Sequence, residues 1–124
     1  AVALKLMRDA ISVIRDGAST NDILAVWPQS PSFWGYDNWD DCRRFAHGNG
    51  IGLIFEEGPF FSCGDRGKVG HTLKAGMVLA LETWYGPKGA DFGASIKETV
   101  LVKEDGCQVI TCYPVDSIIE CPLV

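Results

Sequence analysis

Glu82 closes the apolar run Met77-Val78-Leu79-Ala80-Leu81-Glu82. Read as a strand, this run puts Val78, Ala80 and Glu82 on one face and Met77, Leu79 and Leu81 on the other, because side chains alternate along a strand. A carboxylate there is costly to bury unless it is paired. In the run ASIKETVLV, Lys97 and the adjacent Glu98 must face opposite ways. His47 sits in FAHGNGIG, where an imidazole can act as a base, as a ligand or as a plain hydrogen-bonding group. Ser62 and Cys63 carry nucleophile chemistry only if a histidine lies beside them. No spacing places His47 or His71 there, so Cys63 is expected to be a small half-buried thiol. His71, in a polar loop after Gly70, is expected in solvent.

Holding these groups requires helices and a sheet. Leu4, Met7, Ile11 and Ile14 recur at helical spacing, and Gly17 is a natural stop. Ser19 or Thr20 can cap a second short helix carrying Asp22 in its first turn, which Pro28 and Pro31 end. Residues 28–42 mix Pro, Ser, Gly, Asn and Asp with Phe33, Trp34 and Trp39, which predicts an ordered loop because aromatic rings seek burial. From Ile51 onward, short β-branched and aromatic runs alternate with glycine turns, which predicts an antiparallel sheet.

With 124 residues, the chain has room for one modest core. It is 47% hydrophobic and 22% charged, an ordinary globular balance. A net charge of −5 and the lack of any Lys/Arg run argue against nucleic acid as a partner. The longest apolar stretch is too short to span a bilayer, and the N-terminus lacks the apolar core of a signal peptide, so no membrane partner is expected. Cys42, Cys63, Cys107, Cys112 and Cys121 are odd in number and irregularly spaced, which argues for reduced thiols in a cytoplasmic protein.

Three blocks, FAHGNGIGLIFEEGPFFS, LKAGMVLALETWYG and ASIKETVLVKEDGCQVIT, occur in an order and at spacings that resemble the pita-bread family of methionine and Xaa-Pro aminopeptidases, prolidase and creatinase. The opening LMRDAISVIRDGASTNDILAVWP is similar to the family's helix, turn and second helix. The resemblance implies an α+β fold, with two helices packed on a curved antiparallel sheet. It also implies that residues 1–124 are the C-terminal half of a pita-bread domain whose N-terminal half, with its pair of metal-binding Asp residues, is absent. In the family the three blocks carry a ligand His, a ligand Glu and a second ligand Glu.

Against that pattern Glu82 matches. The second Glu falls at Lys97, with Glu98 adjacent, and an ammonium there cannot bind a metal while protonated. A bulge could swing Glu98 inward. Without a gap, the ligand His falls at Asn49 and the family's second His at Glu56. If Asn49-Gly50 is an insertion, His47 takes the ligand position instead. The resemblance therefore implies His47 and Glu56 as catalytic candidates, His47 and Glu82 as metal candidates, and Asn49 as a substrate-binding candidate; Trp84, which follows Glu82 at the strand end, is a substrate-binding candidate by position, with plain aromatic packing as the alternative. A divalent metal (Mn, Co or Zn) is expected only if the missing half supplies the Asp pair. A Glu82–Lys97 ion pair is the physical alternative to a metal.

The implied function is hydrolysis of a C–N or peptide bond in a small molecule or short peptide, at a degenerate or metal-poor site. The alternative is a non-catalytic binding module. A homo-oligomer is expected of the full-length protein.

Overall fold

The computed structural model describes residues 2–65 and 68–122. Helix α1 (Val2–Val13) forms on the apolar spacing seen in the sequence and buries Ala3, Leu6, Met7 and Ala10. Gly17 adopts the left-handed φ of 76° that turns the chain toward the second helix. Helix α2 (Thr20–Val26) starts at Ser19, whose hydroxyl accepts from the Asn21 amide while the Asp22 carboxylate accepts from the Ser19 amide. It ends at Trp27, which is extended as the residue before a proline must be. A 3-10 turn (Pro31–Trp34) follows and buries Trp34 edge-on against Phe33, Trp39 and Phe45. The aromatic loop is thus ordered, as its composition predicts.

Five strands form one antiparallel sheet: β1 (Ala46–Ile51), β2 (Glu57–Ser62), β3 (Val78–Tyr85), β4 (Ala94–Lys103) and β5 (Gly106–Val109). Their spatial order is β2-β1-β3-β4-β5. The helices cover one face. There Leu6, Met7, Ala10, Ile14, Ile23 and Trp27 meet Phe61, Leu79, Leu81, Val100 and Val102 in a single core. Each fully buried aliphatic side chain stabilises the fold by about 1.5–3 kcal/mol relative to exposure. Thr83 on the same face satisfies its hydroxyl by donating to the Ala3 carbonyl at 2.8 Å. The opposite face of the sheet is only partly covered, since Val78, Ala80, Glu82 and Trp84 of β3 all retain some exposure.

The sheet begins at Ala46, earlier than the expected start at Ile51. Glycines explain the difference. A Cβ on Gly48 would lie 2.4 Å from the Phe61 ring, and one on Gly50 would lie 2.4 Å from the Gly58 carbonyl oxygen, so β2 approaches β1 at distances that only glycine permits. A bulge between Gly48 and Gly50 disturbs the β1–β2 ladder, whereas the β1–β3 ladder is continuous. Residues 52–56, with their apolar Leu53, Ile54 and Phe55, form an exposed loop. Cys63 is completely buried, in contrast to the half-buried thiol expected, and its S–H faces the carbonyls of Cys42 and Arg43. No helix among the described residues is long and apolar enough to cross a membrane.

Candidate functional site

β1, β3 and β4 lie side by side, and their registers bring His47 opposite Glu82 and Glu82 opposite Lys97. The three side chains form a row across the partly covered face. Lys97 Nζ lies 3.0 Å from Glu82 Oε2, and His47 Nε2 lies 3.7 Å from the same oxygen. Ser95, two residues before Lys97 and on the same face, donates its hydroxyl to Glu82 Oε1 at 3.0 Å. Burial pushes the Glu82 carboxyl upward. The hydrogen bonds from Lys97 and Ser95 and the charges of Lys97 and His47 outweigh it and hold the carboxyl below the usual glutamate value.

The His47 ring is fixed from its other side. Nδ1 lies 2.8 Å from the Arg44 carbonyl oxygen. A carbonyl can only accept, so Nδ1 carries the proton and Nε2 is the nitrogen presented to Glu82 and to the open face.

Glu98 faces the helices beside Leu81, and the β3–β4 ladder has no bulge that would turn it toward the row. It is 5% exposed, and its Oε2 has no hydrogen-bond partner. Asn49 shares the sheet face of His47, but its amide donates to the carbonyls of Gly50 and Phe55 and so ties the 52–56 loop down. Glu56 is exposed at the end of that loop. It lines, with His47, Asn49, Arg44, Phe60 and Asp65, a cleft of about 160 Å³ beside the row. Trp84 is on the Glu82 face, with its ring against Phe45 at a centroid distance of 4.3 Å and edged by Gly86 and Gly93. His71 is exposed, as expected. The sequence reading missed Ser95, Arg44 and Asp65. Alternation could have found Ser95, whereas the role of Arg44 is played by its backbone and leaves no trace in residue type.

A divalent ion does not fit this donor set. Among the described residues no three His, Cys, Asp or Glu side chains converge on one point. His47 and Glu82 are two potential donors, and the third strand contributes an ammonium. A doubly charged ion about 4 Å from that ammonium would meet a repulsion of roughly 2 kcal/mol in water and about 8 kcal/mol at an effective dielectric of about 20.

Two helices on one face of a five-stranded antiparallel sheet match part of the pita-bread fold. The chain belongs to metallopeptidase family M24, whose family model matches residues 1–104. An uncharacterized peptidase of Staphylococcus haemolyticus is 31% identical over 113 residues, which is 90% of this chain and 30% of that protein. A dimethylsulfoniopropionate lyase of Roseobacter denitrificans is 34% identical over 71 residues, 55% of this chain and 16% of the lyase. Among solved structures, the Xaa-Pro dipeptidase of Bacillus anthracis superposes with a TM-score of 0.71 at 25% identity, covering 96% of this chain and 31% of that one. The prolidase of Pyrococcus furiosus superposes with a TM-score of 0.69 at 26% identity, covering 91% and 31%. The chain therefore spans under a third of the length of these relatives.

Proposed function

We propose that these residues form the C-terminal half of a pita-bread hydrolase that cleaves a C–N or peptide bond in a small molecule or short peptide. The His47–Glu82–Lys97 row on the partly covered sheet face carries this reading. His47 is the general base. Its Nδ1–H is held by the Arg44 carbonyl, and its Nε2 takes a proton from a water whose oxygen adds to the substrate carbon; Glu82 stabilises the resulting imidazolium, which returns the proton to the leaving nitrogen as the C–N bond breaks. Lys97 offers its remaining N–H donors to developing negative charge. Glu56 reaches the same cleft as a second proton-transfer group, with Asn49 and Trp84 lining the substrate's approach. The peptidase relatives support a peptide substrate. The lyase relative shows that family likeness alone does not fix the bond that is broken. The whole protein is read as a cytoplasmic homo-oligomer.

The test is release of proline from Xaa-Pro dipeptides in the presence of a chelator. Release that persists with chelator and falls at least about 100-fold in His47→Ala fits the magnitude of general base catalysis. One observation favours the second reading, a non-catalytic binding module: the Glu82 oxygens are already engaged by Lys97 and Ser95. A folded chain that releases no product from dipeptides would favour that reading.

A further inference from the structure

We propose that Lys97 is the resident cation of the Glu82 site, and that its ammonium closes this sheet face to divalent metals. The inference concerns which cation the face holds, and it stands whether or not the domain hydrolyses anything.

Three observations converge on it. The first is position. Lys97 is register partner to Glu82 in an unbroken ladder, so its side chain emerges on the Glu82 face by strand geometry rather than by a chance rotamer. The second is occupancy. Glu82 Oε2 has the ammonium at 3.0 Å and Oε1 has the Ser95 hydroxyl at 3.0 Å, so each carboxylate oxygen already has a donor on it. A metal would have to displace one of them. The third is the fate of the remaining acid on β4. Glu98 is the adjacent residue, yet it is buried on the helix side against Leu81 and cannot exchange places with Lys97 without a one-residue slip that would carry Val100 and Val102 out of the core.

An ammonium and a metal ion are not equivalent cations. The ammonium donates up to three hydrogen bonds and accepts none. It neutralises Glu82 but cannot take a substrate oxygen or water into a coordination shell. Metal ligation needs lone pairs directed at one point, and the third strand here supplies a donor of protons instead. Of the three side chains in the row, Lys97 is the one that offers a metal no lone pair while protonated. Lys97→Glu would place a carboxylate opposite Glu82, with His47 flanking, on three adjacent strands.

The experiment is cobalt(II) visible absorption together with manganese(II) calorimetry on the 124-residue chain, comparing wild type, Lys97→Glu, Lys97→Gln and Glu82→Gln. Cobalt reports ligand-field bands that bare thiols and inner carboxylates would give differently, and Glu82→Gln identifies signal arising from this face. The wild type is expected to show no Glu82-dependent binding, since two donors beside an ammonium leave a hard cation in water. Lys97→Glu is expected to bind at least 10-fold more tightly, with the gain abolished by adding Glu82→Gln. Lys97→Gln removes the charge at nearly constant length and is expected to show a smaller gain in the same direction. It decides the matter if the two facing carboxylates keep Lys97→Glu from folding. Glu82-dependent metal binding by the wild type equal to that of the variants overturns the proposal, as does the absence of any gain in a folded variant.

Discussion

Lys97 and Glu98 are neighbours in sequence that serve opposite sides of one strand. Lys97 meets Glu82 on the partly covered face, and Glu98 lies beside Leu81 under the helices with an unpartnered oxygen. A buried carboxylate oxygen without a donor costs the fold about 1–3 kcal/mol. Glu98→Met keeps the side chain's length and removes that cost. It is expected to raise the urea midpoint without changing the slope of the transition, with a gain of about 1–3 kcal/mol. A lowered midpoint would mean that Glu98 has a stabilising role that the fold does not reveal.

The Glu82–Lys97 pair makes a second, graded prediction. The Lys97 side chain is 72% exposed, so the pair is screened, and a coupling of about 0.5–1 kcal/mol is expected from a double-mutant cycle of Glu82→Gln and Lys97→Met. Its sign with pH follows from the lowered Glu82 carboxyl. A carboxylate whose folded value lies below its unfolded value contributes stability above the unfolded value, about 4.3 for glutamate, and loses it as pH falls through the folded value. The coupling should therefore be constant from neutral pH down to about pH 5 and should fade on further acidification. A coupling that grew on acidification would contradict the ion pair.

Much of this was legible in the sequence. The capping pair Ser19 and Asp22, the stop at Gly17, the ordered aromatic loop and the antiparallel sheet follow from local chemistry that the fold obeys. The family resemblance put Glu82 and Lys97 at facing positions, and alternation set Glu98 apart from Lys97, because a two-residue period leaves no freedom once the strand is granted. Other features depended on contacts between distant segments. The 52–56 loop has the apolar residues of a strand, but β1 is already paired on both sides, and Asn49 holds the loop by its carbonyls. His47 is fixed by a backbone oxygen, which no residue type announces. Glycines 48 and 50 read as permissive positions, and only the approach of Phe61 and Gly58 shows that they are required.

That requirement is testable at Gly50. A Cβ there would sit 2.4 Å from the Gly58 carbonyl oxygen and 3.1 Å from that of Glu57, both backbone atoms that cannot rotate away. Gly50→Ala is expected to push β2 off β1 and to cost on the order of 1–3 kcal/mol. Because β2 forms one wall of the cleft beside His47, backbone amide shifts in an NMR spectrum should concentrate in residues 46–62 and leave β4 and β5 unchanged. Uniform small shifts with unaltered stability would show that the strands have room to spare.

The last prediction concerns association. β2 and β5 are edge strands, and the loop leading into β2 presents Leu53 fully to solvent and Phe55 at 81% exposure, with Phe60 also exposed on β2. An unpaired edge beside exposed apolar side chains is a template for contact with another chain. The sheet face holding the His47–Glu82–Lys97 row adds partly exposed Val78, Ala80 and Trp84 nearby. The 124-residue chain is therefore expected to self-associate as its concentration rises, and Leu53→Asp combined with Phe55→Ser is expected to shift it toward monomer while leaving the core, which neither residue enters, intact. Multi-angle light scattering across a concentration series, with a thermal melt of each protein, makes the measurement. A wild-type chain that stays monomeric and melts sharply would show that the exposed loop and edge are compatible with an autonomous domain, and would remove the argument that this face is built to be covered.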